Sequence, residues 1–326
     1  MKSTIYLLFI SLALAGCGTT QQTSLDKPKT LHILKTEVAL ANSVAWSPNS
    51  EQIVIGGFDK SVSRWNVSSG ERISLFEGHK GAVRSVAWSP SGKRIASGSE
   101  DKTVIIWSST TGEKLHVLAG HTNYVNSVAW SPDGKAIASG GHGGHVKIWD
   151  AQSGKEVKTL KQAYIITSLA WSPSGRHLAT GSGDRTVHIW DVASGKDLMV
   201  LKEHGDDVQD VAWSPDGTKI ISGVCATHED AARVWDVISQ KVLLHNSKGF
   251  GACVTVSPDG TRIACGGYGN IISIWNSTTG KVLQTLEGHT ITKDHDLIWN
   301  VKWSPNGKAI VSSTRKGEVI IWSISN

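Results

Sequence analysis

One short phrase is written seven times along this chain. Pro48, Pro90, Pro132, Pro173, Pro215, Pro258 and Pro305 sit in SPNS, SPSG, SPDG, SPSG, SPDG, SPDG and SPNG, at steps of 42, 42, 41, 42, 43 and 47 residues. A period of about 40 to 45 residues marks an array of supersecondary units, each of which buries its apolar faces only against its neighbours. The phrase also has a local meaning. Proline pre-sets the first central position of a type I turn, Asp, Asn or Ser suits the next, and glycine suits the exit. Each copy therefore closes a hairpin between an apolar strand before it, such as Val83 to Trp88, and another after it, such as Arg94 to Ser97.

Tryptophan fixes the rest of the unit. The chain has 14 Trp against 4 Phe and 4 Tyr, and in five repeats a second Trp follows the first by 19 residues, as in Trp88 and Trp107 or Trp130 and Trp149. Repeat five stretches this interval to 22 (Trp213 to Trp235), and repeat six has Val256 in place of its first Trp. A third strand ends at the second Trp. The turn Ser109 to Gly112 then leads into a fourth, Lys114 to Leu118. The third strand, Val104 to Trp107, is apolar on both faces, as expected of a sheet covered on each side.

These units resemble the WD-repeat family. Ile148-Trp149-Asp150, Ile189-Trp190-Asp191 and Val234-Trp235-Asp236 match its naming dipeptide, and Gly78-His79, Gly120-His121 and Gly288-His289 match its other signature. Asn66, Ser108, Asn276 and Ser323 depart from the Asp after Trp, and Gln162 stands where a His is expected. The resemblance implies an all-β fold over residues 30–326: a seven-bladed β-propeller of four-stranded antiparallel blades. The last repeat stops at Asn326 without a fourth strand, while Thr30 to Leu34 matches Lys114 to Leu118. The N-terminal strand is therefore expected to close the last blade and hide the edges that an open array would expose.

Repeat two carries His79, Ser97, Asp101 and Trp107, which on paper is a Ser-His-Asp set for acyl transfer. The family resemblance implies instead a structural hydrogen-bond chain that satisfies a buried imidazole and a buried indole. Partial copies recur as His121, Ser139 and Trp149, as Thr180, Asp184 and Trp190, and as His204, Ser222 and Trp235. Gly141 to His145 and Asp294 to Asp296 contain metal-ligand residue types but no matched set, and are read as polar loop. Cys253 and Cys265 flank the turn of repeat six symmetrically, which places them to face each other across its two strands; two small buried thiols are favoured over a cross-strand disulfide, and Cys225 is left over.

The amino terminus reads as an address. Lys2 is followed by an apolar run from Ile5 to Ala15, too short to span a membrane, and Leu14-Ala15-Gly16-Cys17 resembles the lipobox of bacterial lipoproteins. That resemblance implies a signal peptide over 1–16, lipid attachment at Cys17, export, and a flexible tether over 17–29; the alternative is ordinary secretion with cleavage after Ala15, since Ala13-Leu14-Ala15 also fits a small-residue site. Gly18 favours the outer membrane over the inner. A net charge of +5 over 326 residues is too small for a surface that tracks nucleic-acid phosphates.

With the four strands of a unit labelled a to d in chain order, partners in the family sit on the face built from the d-a loops and b-c turns. On that face the sequence places Phe58, Tyr124, His228, Phe250, Tyr268, Trp299 and Arg315, of types that anchor interfaces. Length changes in repeats five and seven concentrate the expectation on His228, Phe250, Tyr268, Trp299 and Arg315. The expected function is a monomeric, membrane-anchored, non-catalytic protein-interaction scaffold without cofactor or metal. A glycan or peptidoglycan binder and an enzyme using the central funnel are the alternatives.

Overall fold

The computed structural model describes residues 29–35, 41–202, 204–224, 232–246, 251–267, 269–290, 297–314 and 316–324. The signal segment, Cys17, most of the tether, Cys225, His228, Phe250, Tyr268, Asp294 to Asp296 and Arg315 lie outside them.

Seven four-stranded antiparallel sheets follow one another, each ordered a-b-c-d from the centre of the molecule to its rim. Blade two is representative, with strands Val83–Trp88, Arg94–Ser99, Thr103–Ser108 and Lys114–Ala119. Its a-b turn is built as the phrase predicts: Gly92 N–H donates to Ser89 O at 2.9 Å, and Gly92 takes φ of 73°. The same left-handed glycine recurs at 134, 175, 217, 260 and 307. Blade one has Ser50 there, at φ 62°, and its hydroxyl accepts the Asn306 N–H at 3.1 Å. The non-glycine residue thus exchanges backbone ease for a bond between blades one and seven.

There is no single core. Seven apolar clusters fill the seven gaps between neighbouring blades. Leu34, Val319 and Ile321 of blade seven pack with Val44, Ile53 and Trp65 of blade one, and Val62 and Phe76 of blade one pack with Val86, Ile95 and Trp107 of blade two. Each blade is covered on both sides, which is why the b and c strands are continuously apolar.

The ring closes at its rim and at its centre. The first strand, Lys29–Lys35, is the outer strand of blade seven and pairs antiparallel with Glu318–Ser323, with Leu34 opposite Val319. Leu118 stands opposite Val104 in the same way, so the match between Thr30 to Leu34 and Lys114 to Leu118 holds in register. At the inner end, the Trp46 indole of blade one donates to Lys302 O of blade seven at 2.9 Å. Trp130, Trp171 and Trp213 repeat that bond to the preceding blade through Ala87, Ala129 and Ala170 carbonyls at 3.0–3.2 Å. The inner strands surround a central cavity of about 810 Å³.

Candidate interaction face

The set in blade two is a closed chain of bonds. His79 Nδ1 lies 2.8 Å from Asp101 Oδ2, His79 Nε2 lies 2.8 Å from Ser97 Oγ, and Trp107 Nε1 donates to Ser97 Oγ at 2.7 Å. A carboxylate only accepts, so Nδ1 carries the proton and Nε2 accepts from the Ser97 hydroxyl. Burial lowers the His79 pKa, and the imidazole is neutral near pH 7. Burial alone would raise the Asp101 pKa, but hydrogen bonds from Thr103, Lys80 N–H and His79 bring it below the usual carboxylate range. Ser97 is fully buried and both of its neighbours in the chain are engaged. The group ties the d-a loop, through His79 and Lys80 N–H, to the b-c turn at Asp101. It is a clamp on this face of the disc.

The partial copies take the same shape. His121 Nε2 and Trp149 Nε1 both reach Ser139 Oγ at 2.7 Å, and His204 and Trp235 reach Ser222 Oγ at 2.6 and 2.7 Å. Burial, then the nearby Lys147 charge, lower the His121 pKa to about 4. In blade four, Gln162 Oε1 takes the place of the imidazole and accepts from Thr180 at 2.9 Å. Asp184 turns instead to Thr186 and His188. A second complete chain, not found from the sequence, lies in blade seven: His289 to Ser312 Oγ at 2.7 Å, Trp322 to Ser312 at 2.8 Å, and His289 Nδ1 to Glu318 Oε2 at 2.7 Å. The five-residue loop extension shifts Ser312 from the expected offset, and Glu318 comes from the c strand rather than the b-c turn.

Between the clamps, d-a loops and b-c turns are joined by backbone bonds, Glu100 N–H to Ala82 O at 2.9 Å, His142 N–H to Tyr124 O at 3.0 Å and Gly183 N–H to Ile165 O at 3.0 Å. On this frame stands a connected group of side chains. Arg84 Nη2 pairs with Glu100 Oε1 at 2.6 Å, its guanidinium lies 5.5 Å from the Tyr124 ring centre, and the Tyr124 and His142 rings lie 5.5 Å apart. Burial, then the Arg84 charge, lower the His142 pKa. Phe58 is exposed on blade one, and Tyr164 and Ile165, which sequence reasoning passed over, are exposed on blade four. Trp299 is the one member of the expected group on blades five to seven that lies within the described residues. It is 37% exposed and lines the mouth of the central cavity with Arg84, His142 and Ile165. Among the described residues, the aromatic and Arg side chains of this face lie mainly on blades one to four.

The cavity holds an ion pair that the repeat pattern hides. Lys302 stands where five other blades have Ala on the inner strand, and Asp210 stands where four have Ser. Their side chains meet at 3.4 Å across blade six. Asp210 also accepts from Ser168 Oγ at 2.8 Å and Val254 N–H at 3.1 Å.

The two described cysteines of blade six are buried and are not bonded to each other. Cys253 stands opposite Gly266 and Cys265 opposite Val254. The hairpin is centred half a residue away from the midpoint between the thiols, and one residue of offset sends them to opposite faces of the sheet. His145, in the Gly141 to His145 run, bonds to Gly143 O at 2.5 Å.

Comparison with known proteins agrees with this architecture. A family model described as the IFT122 first beta-propeller matches residues 141–326, one described as the WD domain, G-beta repeat, matches 29–66, and one described as eukaryotic translation initiation factor eIF2A matches 68–190. The chain is 35% identical over 72 residues to eukaryotic translation initiation factor 3 subunit I of Phaeosphaeria nodorum, covering 22% of this chain and 20% of that protein. It is 25% identical over 90 residues to the pre-rRNA-processing protein IPI3 of Mycosarcoma maydis, covering 28% of this chain and 14% of that protein. The chain thus spans a fifth or less of the length of these curated relatives, and both are eukaryotic. With seven blades in register and a match over more than half its length, this protein belongs to the WD-repeat β-propellers, in the family described as the IFT122 first beta-propeller.

Proposed function

We propose that this protein is a non-catalytic scaffold that binds a protein partner on its d-a/b-c loop face and is held at a membrane by lipid on Cys17. The observation that carries the binding part is the Arg84–Glu100–Tyr124–His142 group, an Arg and two rings in mutual contact on loops clamped from below. Side chains held in place before binding lose little entropy when a partner arrives, and Arg and Tyr are enriched among residues that dominate interface energies. The match to a protein named as a subunit of an initiation factor supports a role in assembly with other chains. The glycan alternative would call on the exposed rings of Phe58 and Tyr164 rather than on Tyr124, whose ring Arg84 covers. The enzyme alternative needs a reactive group that substrate can reach. Ser97 is buried, and Asp210 in the central cavity is paired with Lys302.

The partner reading is tested by crosslinking in intact cells, comparing the parent with an Arg84→Ala/Tyr124→Ala variant. Loss of the main crosslinked protein is expected, and an unchanged set contradicts the reading. Anchoring rests on the Leu14-Ala15-Gly16-Cys17 motif, with export and the outer membrane as its corollaries. Labelled fatty acid should enter the parent and not Cys17→Ser; equal labelling refutes the anchor.

A further inference from the structure

The outer strands differ around the rim in a way that the repeat does not require. In six of the seven d strands an apolar anchor faces the next blade, as Leu34, Phe76 and Leu118 do in blades seven, one and two, while blade five has Asn246 at that position. The position one before it points the other way, because neighbouring residues of a strand alternate in face, and the position three before it is the extra residue of a bulge. In blades seven, one and two both positions are exposed aliphatics: Leu31 and Ile33, Ile73 and Leu75, Leu115 and Val117. At the position just before the anchor, Ile33, Leu75 and Val117 are 53%, 41% and 55% exposed. The equivalent residue is Thr159 in blade three, a half-buried Val200 in blade four, His245 in blade five and Thr285 in blade six. The position three before the anchor is an exposed aliphatic in the other blades as well, at Val157, Leu198, Leu243 and Leu283, so what sets blades seven, one and two apart is a second exposed aliphatic just before the anchor. Six exposed aliphatics on three neighbouring outer strands call for an occupant.

The chain itself indicates which one. The arc includes the strand through which the N-terminal segment enters, and that strand begins at Lys29, twelve residues after Cys17. Lys29 pairs with Ser323, at the end of the strand remote from the Glu318 clamp and the loop face. Twelve residues with random-coil dimensions would span roughly 20 Å, close to the radius of gyration of about 19 Å for a body of this size. A lipid on Cys17 therefore keeps this sector of the rim within one body radius of the bilayer, where even weak apolar contacts gain from high effective concentration.

We infer that the rim of blades seven, one and two, through Leu31, Ile33, Ile73, Leu75, Leu115 and Val117, rests in the interfacial layer of a phospholipid bilayer. The inference rests on the anchoring proposed above and deepens it. The body does not swing freely on its tether but lies edge-on to the membrane, with its loop face turned away from the tether root.

The test uses the lipidated full-length protein in vesicles of phosphatidylethanolamine and phosphatidylglycerol, with Cys225→Ser removing a competing thiol. Leu75→Cys and Val117→Cys, at the arc, and Thr285→Cys, at the same position in blade six, each carry an environment-sensitive fluorophore. Acylation of Cys17 is measured in the same samples. Brominated lipid is expected to quench the labels at 75 and 117 and to leave the label at 285 at its level in unbrominated vesicles. The Ile33→Thr/Val117→Thr variant, which installs the residue that blades three and six already use, is expected to lose the quenching at 75. Acylated protein with no quenching at 75 or 117, or with equal quenching at all three positions, overturns the rim contact while leaving the anchor standing. Absence of acyl label overturns the anchor, and the rim contact with it. A blue-shifted, unquenched label at 75 in a chain that sediments as a dimer assigns the arc to a second copy and overturns the lipid assignment.

Discussion

Blades two and six have the same four-stranded sheet but differ in what holds it. In blade two, His79, Ser97, Asp101 and Trp107 bond in sequence from the loop face into the sheet, and Trp88 occupies the inner-strand position. In blade six, Val256 occupies that position, Cys265 replaces the serine, and the buried Trp275 Nε1 has no hydrogen-bonded oxygen. The blade survives because its apolar residues still fill the gaps on either side, with Ile263 and Trp275 toward blade five and Ile272 and Leu286 toward blade seven. Burial between neighbours makes the blade, and the polar chain is a lock added to it.

The comparison breaks most severely if burial can be removed without consequence. Deleting Thr30 to Lys35 strips blade seven of its outer strand and exposes the edge at Glu318–Ser323. Insoluble protein is expected; a truncation with the yield and melting temperature of the parent would refute closure. The lock is tested next. Ser97→Ala leaves His79 Nε2 and the Trp107 indole buried without partners, at about 1–3 kcal/mol for each unsatisfied group. A loss of about 3 kcal/mol in denaturant unfolding is expected. Cys265→Ser in blade six supplies an oxygen to Trp275 and should gain up to about 1 kcal/mol. Equal effects of opposite position would erase the distinction between the blades.

Acid sharpens the same point. In the folded chain His121 titrates at about 4, against 6.5 for the free side chain. As pH falls through 6.5 the unfolded chain takes up a proton that the folded chain refuses. The contribution is therefore complete above 6.5 and is lost as pH approaches 4, on the order of 3 kcal/mol at most. Melting temperatures at pH 7 and 4.5 should converge for His121→Gln, the residue that Gln162 models in blade four, relative to the parent. Burial lowers His79 and His289 in the same direction, so the parent's loss on acidification exceeds that of one histidine. The smallest effect is expected at Lys302. Lys302→Ala removes its ion pair with the partly exposed Asp210 and should cost about 1 kcal/mol, less at high salt.

Local rules made much of this molecule legible in advance. The phrase around each proline specifies a turn, the Trp interval specifies strand lengths, and the match of Thr30 to Leu34 with Lys114 to Leu118 specifies closure. What escaped has a common physical cause, since it depends on contacts between residues that no repeat interval relates. Lys302 and Asp210 meet across a cavity, over an intervening blade. Glu318 enters the blade-seven clamp from a different element than Asp101 does in blade two. The cysteines of blade six failed to face each other through one residue of register. On the loop face, Phe58 and Tyr124 are exposed, but the contact of Arg84 with Tyr124 and the exposure of Tyr164 arise from loop shape, which composition does not encode.

The central claim is that a closed ring presents its loop face as the working surface. It is tested most directly by placing a photocrosslinking amino acid at Tyr124, on that face, and at Ser91, in an a-b turn on the opposite one, in cells. The account predicts a discrete protein adduct from position 124 and none from position 91. The same adduct from 91, or from 91 alone, would contradict it.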